Sequence, residues 1–206
     1  MKKLFLSIIF CCFGILSFSN EPHIVNVKLD INESEVYWKG SKISYFHDGI
    51  VDLKWGYLAI DHGKVAGGEF VIDMNTITCT DIEKDKKRKN FEDHLKNEDF
   101  FNVEQFPTAR LVITKAQKKS SNKYEITADL TIKEQTHSIE FDADIFIKPN
   151  KNTVTGISYE ASAEIIIDRT KWGIVYKSGS YFKDLVANKA INDEIEFKIK
   201  LASQSN

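Results

Sequence analysis

Alternation of apolar and polar residues with a period of two is the feature that most constrains the fold of this 206-residue chain. In the clearest stretch, 124–133, Tyr124, Ile126 and Leu130 fall on one side of an extended strand, and charged or hydroxyl side chains fall on the other. One apolar and one polar face per strand is typical of antiparallel sheets, because helix-covered parallel sheets give continuous apolar runs. The pattern therefore predicts an all-β, antiparallel fold of about eight strands. It recurs from Val51 onward at 70–74, 111–114, 139–145, 161–167 and 195–201.

The apolar faces of these strands need protection from water. A closed barrel and a two-sheet sandwich both provide it, and periodicity does not choose between them. The stretch 134–137 separates two strands and is short enough to be a hairpin loop. One helical interruption is predicted, in which a charged loop, 84–89, leads into a short amphipathic helix near 88–96. We expect the apolar edge of this helix to lie over the barrel mouth as a short lid.

The N-terminal stretch 1–19 differs in character from the rest of the chain. Two lysines precede an apolar run, 4–16, and small residues follow at Ser17 and Ser19, as signal peptidase requires. A membrane anchor is less favoured, because the run is shorter than the roughly 20 residues that span a hydrocarbon core. The sequence thus predicts a signal peptide over 1–19 and an exported mature domain over 20–206.

Cysteine usage and net charge argue against a disulfide-stabilised domain and against a nucleic-acid-binding protein. Cys11 and Cys12 lie in the predicted signal peptide, so Cys79 is left without an intramolecular partner and the domain folds without an internal disulfide. The formal net charge is −2, whereas a general nucleic-acid binder carries a basic excess. We therefore predict no nucleic-acid partner.

Motifs that carry chemistry are missing from the sequence. It has no G-x-S-x-G elbow, phosphate-binding glycine loop, H-E-x-x-H or C-x-x-C segment. The histidines are isolated, so no metal site or cofactor is predicted. His94, beside Asp93 and Glu92, is a candidate acid/base group, although a charged helix edge is more often simply solvated. Cys79 has no cation placed to activate it, which favours an inert, semi-buried thiol.

Four groups of residues follow one another in a characteristic order and spacing. They are GGEFVIDMNTI (67–77), HLKNEDFF (94–101) with FPTA (106–109), ADLTIK (128–133) with TH (136–137), and IDRTKWGI (167–174). Together they resemble the YceI-like family of lipid- and polyisoprenoid-binding proteins, over about residues 35–201. The resemblance implies an extended, lipocalin-like antiparallel barrel, an exported and usually periplasmic location, no catalysis, and an elongated isoprenoid or related amphiphile in the lumen. Glu134 and Gln135 depart from the glycine and apolar residue usual in that hairpin.

The inward rows of the barrel are the expected contacts for such a ligand. Alternation assigns to its tail Phe70, Ile72, Leu111, Ile113, Leu130, Ile132, Ile139, Phe141, Ile165 and Ile167. Phe100, Phe101 and Trp172 are candidates for closing one end of the lumen. The expected partner is a polyisoprenoid, an isoprenoid quinone or a fatty-acid-like lipid.

A second hypothesis is an interaction or stress-protective module whose barrel interior is filled and which acts through its surface. The volume inside the barrel separates the two hypotheses, because a carrier needs an apolar cavity and a surface module does not. The basic residues of 84–89 leave transient membrane contact open, and a homodimer is compatible with either hypothesis.

Overall fold

The computed structural model describes residues 23–42, 44–184 and 189–204, so the predicted signal peptide lies outside the described residues. The described ranges contain nine strands and one α-helix, and a 3-10 helix, Arg169–Trp172, follows β8. The elements are β1 (Ile24–Lys28), β2 (Glu35–Lys42), β3 (Phe46–Asp61), β4 (Lys64–Cys79), α1 (Asp85–Lys96), β5 (Thr108–Lys118), β6 (Lys123–Ile132), β7 (Gln135–Pro149), β8 (Ile157–Asp168) and β9 (Ile191–Ala202). The prediction of an all-β fold with a short helix is confirmed. Among the described residues, no helix combines the length and the hydropathy that crossing a membrane requires.

Strands β2 to β9 close into an eight-stranded antiparallel barrel. Each strand pairs with the next in sequence, and β9 returns to pair with β2, with Glu35 opposite Lys200. The short β1 pairs with the C-terminal part of β3, beyond the residues that pair with β2. The alternating sequence pattern is compatible with both a barrel and a sandwich. The β2–β9 pairing shows a barrel, as the family resemblance implies.

Strands β3 and β4 make the barrel long, because each has 16 residues where a strand of about 5 or 6 is typical. Their pairing shifts register at three points, and such bulges bend and twist a strand. The two strands approach closely at Gly49, where a Cβ atom would lie 1.8 Å from the carbonyl oxygen of Thr78. Trp38 donates its indole N–H to the same oxygen at 3.1 Å. Only glycine fits this position without moving the backbone.

Helix α1 begins earlier than the sequence pattern predicts. It spans Asp85–Lys96, so most of the predicted charged loop, 84–89, forms the first turns of the helix. Asp85 lies in the first turn, where a negative charge is favourable. Arg88 pairs with Asp85 at i,i+3 and Lys89 pairs with Asp93 at i,i+4. These pairs stabilise a helix, which is why the charged run is helical.

The β6–β7 connection is tighter than predicted. Strand β7 begins at Gln135, so the predicted loop 134–137 reduces to a turn of Lys133 and Glu134. Both residues have positive φ, 49° and 59°, as a two-residue type I′ hairpin requires. Lys133 donates from Nζ to the carbonyl oxygen of Phe100 at 3.0 Å. This contact ties the turn to the segment that follows α1.

The two ends of the barrel differ. One end carries α1, the 3-10 helix and the β6–β7 turn, and we name it the helix end. The other, the hairpin end, carries the β3–β4 and β5–β6 connections. Near the hairpin end the interior is filled by side chains that are at most 2% exposed, among them Ile60, Tyr124 and Tyr159. Any internal space must therefore lie in the middle of the barrel and toward the helix end.

Candidate functional site: an apolar cavity in the barrel

A cavity of about 420 Å³ lies inside the barrel. This volume is in the range of about 300–1,000 Å³ that is usual for small-molecule sites. Inner-face alanines on β7 and β8, Ala143, Ala161 and Ala163, border it beside larger aliphatic and aromatic side chains. Short side chains in these rows leave space that a uniformly bulky lining would occupy. The interior of the barrel is thus only partly filled by its own residues.

Most of the residues that alternation assigns to the lumen border this cavity. Ten of the thirteen candidates do so: Phe70, Ile72, Phe100, Phe101, Leu111, Ile113, Leu130, Ile132, Phe141 and Ile165. The other three do not border it: Ile139, Ile167 and Trp172. Contact of any of the thirteen with a ligand stays a prediction.

The three residues away from the cavity have different surroundings. Trp172 is 1% exposed and donates its indole N–H to the carbonyl oxygen of Leu130 at 3.1 Å, so it packs against β6. Ile167 is buried in the core one residue before the end of β8. Ile139 lies opposite Ala128 in the β6–β7 pairing and therefore on the inner face, but it is displaced from the cavity. Alternation identifies a strand's face but not the position of a cavity along it.

The cavity reaches solvent at the helix end. Residues with exposed or half-buried side chains border it there, and we call this set the mouth. They are Lys42, Tyr45, His47, Phe91, His94, Tyr176 and Lys177. They come from the end of β2, the start of β3, helix α1 and the segment after the 3-10 helix. The sequence predicted that the apolar edge of α1, which includes Phe91, lies over the mouth, and it distinguished His94, but it missed the other five residues because no local pattern connects these segments.

Aromatic contacts hold α1 over the mouth. The rings of His94, Phe100 and Tyr176 contact one another in pairs, with centroids 4.9–5.3 Å apart. Phe91 lies against the ring of His47 at 4.4 Å. His94 pairs through Nε2 with Asp99 at 2.9 Å, rather than with the neighbouring acids of its own helix. These contacts can separate without breaking a strand pairing, so α1 is suited to act as a lid.

Two lysines give the mouth cationic groups. Lys42 Nζ lies 5.1 Å from the ring centroid of Tyr45, and Lys177 Nζ lies 4.9 Å from that of Tyr176. Within the part of the chain that the structure describes, neither ammonium group forms an ion pair. Cation–π contacts leave the ammonium protons accessible, so both groups can meet a polar group at the entrance of the cavity.

Arg169 anchors the segment beside the mouth. It is 1% exposed, and its guanidinium donates to the carbonyl oxygens of Ile174, Ile191 and Asn192 at 2.7–3.1 Å. Burial lowers the pKa of Arg169, and the nearby Asp193 opposes that effect. The buried charge is thus almost fully hydrogen-bonded, and it fixes the chain after the 3-10 helix to the start of β9. Arg169 also borders the cavity.

Cys79, the last residue of β4, is more deeply buried than the sequence predicts, at 3% exposure. Its thiol lies 3.0 Å from Asp81 Oδ1, to which it donates. Burial, together with this hydrogen bond and the charge of Asp81, raises the pKa of Cys79 from 9.0 to about 12. The thiol therefore stays protonated in neutral solution when no other ligand is bound to it.

We expect Cys79 in chelator-treated, folded protein to react very slowly with a thiol reagent at pH 8. A rise in pKa from 9.0 to about 12 lowers the thiolate fraction by about a thousandfold, and the thiolate is the reactive form. Iodoacetamide labelling followed by intact mass spectrometry measures the rate. The same protein in guanidinium chloride is the control and should label quickly. Equal rates in both conditions would contradict the buried, hydrogen-bonded thiol.

The fold and the cavity together indicate the structural class of this protein. A closed antiparallel barrel of eight strands with an apolar interior space is the architecture of small-ligand binders of the lipocalin kind. Residues 28–203 match the YceI-like domain family, which covers most of the chain. The protein therefore belongs to the YceI-like family. This family is generally linked to the binding of isoprenoids and other lipids, and its members are generally non-catalytic.

Relatives and solved structures agree with this assignment. A UPF0312 protein of Shewanella denitrificans is 30% identical over 90 residues, which is 43% of this chain and 44% of that protein, so the chain matches less than half of that relative's length. BcnA of Burkholderia cenocepacia superposes with a TM-score of 0.61 at 20% identity, covering 85% of this chain and 99% of BcnA. The Campylobacter jejuni YceI protein gives 0.54 at 18% identity over the whole of both chains. At these identities the two structures show a shared fold.

Proposed function

We propose that this protein is an exported, non-catalytic carrier or sequestering protein that holds one long apolar amphiphile in its barrel. The supporting observation is the apolar cavity of about 420 Å³ that reaches solvent at the helix end. The ligand class is a polyisoprenoid, an isoprenoid quinone or a fatty-acid-like lipid. Export to the periplasm rests on the signal-peptide pattern of 1–19.

The hydrophobic effect favours a ligand bound inside a protein over the same ligand free in water. Each methylene group removed from water contributes about 0.8 kcal/mol, so a chain of several isoprene units does not remain free in an aqueous compartment. Transfer from a bilayer into the barrel is close to neutral per carbon, because both environments are apolar. Selection among lipids therefore depends on the length and width of the cavity and on contacts with the head group.

The difference between the two ends of the barrel favours one orientation of the bound ligand. The filled hairpin end suits the tip of the tail, and the mouth suits the head group. Lys42 and Lys177 supply ammonium groups at the mouth, and Tyr45 and Tyr176 supply amphipathic rings beside them. Lys86 and Lys87 are exposed on α1, the helix whose Phe91 and His94 border the entrance, and they would favour transient contact with an anionic membrane surface. In this arrangement a lipid enters tail first beneath the lid.

Lipid extraction tests the proposal. Protein exported to a bacterial periplasm and purified without detergent should yield about one lipid per chain in organic extracts, measured by mass spectrometry, because the cavity accommodates a single chain. Ala163→Phe is the matched variant, since a phenyl ring at that position occupies part of the cavity without adding charge. It should carry clearly less lipid than wild-type protein. Empty wild-type extracts, together with no uptake of added prenyl or acyl chains, would overturn the carrier proposal.

The alternative of a filled barrel that acts only through its surface is less well supported. It requires an interior occupied by side chains, whereas Ala143, Ala161 and Ala163 border open space. If extracts and uptake experiments are both negative, this alternative becomes the better explanation.

A further inference from the structure

A cluster of three different metal-ligating side chains lies at the rim of the mouth. His47 Nδ1, Cys79 Sγ and a carboxylate oxygen of Asp81 all lie within 4.8 Å of one another. His47 is near the start of β3, Cys79 ends β4, and Asp81 follows two residues later. We propose that these three side chains form a binding site for a borderline divalent transition-metal ion, of which Zn²⁺ is the type.

The donor atoms already have nearly the spacing of ligands around one ion. Asp81 Oδ2 lies 2.8 Å from His47 Nδ1, and Asp81 Oδ1 lies 3.0 Å from Cys79 Sγ. Around a tetrahedral Zn²⁺, bonds of about 2.0 Å to N or O and 2.3 Å to S separate neighbouring ligand atoms by roughly 3.3–3.5 Å. The third separation, between His47 Nδ1 and Cys79 Sγ, is at most 4.8 Å, so binding an ion requires these two side chains to approach each other by up to about 1.3 Å.

Neighbouring groups hold the three ligands in place. Asp81 also accepts a hydrogen bond from the backbone N–H of Asp48 at 3.1 Å, which fixes its carboxylate. The ring of His47 packs against Phe91. Glu92, on α1, accepts a hydrogen bond from the backbone N–H of Cys79 at 2.9 Å. Supporting contacts of this kind orient ligands in known metal sites and affect affinity strongly.

The donor set determines the kind of ion. Calcium and magnesium take oxygen ligands, whereas a thiolate with an imidazole suits zinc, cobalt and copper. On ligation the Cys79 thiol gives up its proton to solvent and binds as the thiolate, and Asp81 exchanges its hydrogen bonds with His47 and Cys79 for a bond to the metal. Three protein ligands leave a fourth position for water.

Metal binding at this position would act on the lid. The site joins β3 and β4 to the segment that leads into α1, and Glu92 brings the helix itself next to the ion. An ion bound here would fix that end of the lid relative to the barrel. This inference does not depend on the proposed lipid function, because the cluster lies at the rim and its ligands can be tested without any lipid.

Two other histidine–carboxylate pairs provide matched controls. His62 pairs with Asp61 at 2.6 Å at the hairpin end, and His94 pairs with Asp99 at 2.9 Å beside the mouth. Neither pair includes a thiol. Across residues 23–42, 44–184 and 189–204, His47, Cys79 and Asp81 make up the one group of three or more such ligands within this spacing.

Cobalt titration of chelator-treated protein that has been exported to a bacterial periplasm, and so lacks Cys11 and Cys12, tests the proposal. We expect one Co²⁺ per chain and a near-ultraviolet sulfur-to-cobalt charge-transfer band, which Zn²⁺ then abolishes by displacement. Cys79→Ser should remove the band, and His47→Gln should lower the affinity at least about tenfold. His62→Gln should change neither the band nor the affinity.

The test also works if Cys79→Ser fails to fold. The side chains of His47 and Asp81 are each 27% exposed, so His47→Gln and Asp81→Asn should keep the fold, as circular dichroism would verify. Both should weaken Co²⁺ binding and the charge-transfer band together. A wild-type protein without the band, or with the same Co²⁺ affinity in His47→Gln and Asp81→Asn, would overturn the proposal.

Discussion

Ile165→Arg should abolish lipid uptake, whereas Ile166→Arg, at the next position of β8, should leave it close to the wild-type level. Ile165 is 5% exposed and borders the cavity, while Ile166 is 62% exposed on the outside of the barrel. An arginine at position 165 places an unpaired charge in an apolar space, at a cost of several kcal/mol. We expect the affinity to fall by at least about a hundredfold. Displacement of a fluorescent acyl or prenyl probe from delipidated protein measures it.

The paired design separates loss of the site from loss of the fold. Both variants carry the same new charge on the same strand, so circular dichroism and urea denaturation of both show how much Ile165→Arg affects folding. If that variant is too unstable to assay, Ala163→Phe tests the same wall without a buried charge and should reduce probe binding. Equal binding by the two arginine variants, both folded, would mean that the ligand does not occupy the lumen.

Alternation predicted which residues face inward, for a physical reason. A strand turns successive side chains to opposite sides, so a sequence that alternates has to bury its apolar set, as with Leu130 on β6 and Ile165 on β8. Barrel and sandwich require the same alternation. The choice between them depends on the β2–β9 pairing, in which Glu35 lies opposite Lys200. A pattern within one strand contains no information about a pairing between residues so far apart in the sequence.

Strand β2 shows where alternation fails. Val36 and Trp38 are buried and face inward, but Tyr37 between them is also aromatic and is 43% exposed. The apolar signal is therefore continuous, and the pattern becomes readable only from Val51 onward. A large aromatic side chain on an outer face obscures the period without changing the structure.

Apart from the helix that covers it, the mouth could not be predicted from the sequence, since its parts are far apart in the chain. His94 and Tyr176, for example, are 82 positions apart, and their ring centroids lie 4.9 Å from each other. The resemblance of 167–174 to the YceI-like family did locate a structural element. Trp172, a candidate for closing the lumen, donates its indole N–H to the carbonyl oxygen of Leu130 on β6, and its contact with a ligand stays a prediction. Arg169 lies in the same motif without an assigned role, and it anchors the segment through three backbone carbonyl oxygens.

Arg169→Met should destabilise the protein by about 3–5 kcal/mol, because removing the buried guanidinium leaves the groups that are hydrogen-bonded to it unsatisfied. Three backbone carbonyl oxygens, of Ile174, Ile191 and Asn192, would lose their donor. Arg169→Lys should recover only part of the loss, since a single ammonium group does not reach three oxygens held in the geometry of a guanidinium. Urea denaturation gives the free energy of unfolding.

Arg110→Met is the matched control for Arg169→Met. Arg110 pairs with Glu69 at 2.6 Å on the outside of the barrel, with its side chain 51% exposed, and an exposed pair of this kind contributes at most about 1 kcal/mol. The two substitutions remove the same side chain and differ in burial and in hydrogen-bond partners. A large loss at 169 and a small one at 110 would show that the buried guanidinium holds the segment beside the mouth. Equal losses would mean that the segment is held by other contacts, and the backbone after Trp172 would then need another anchor.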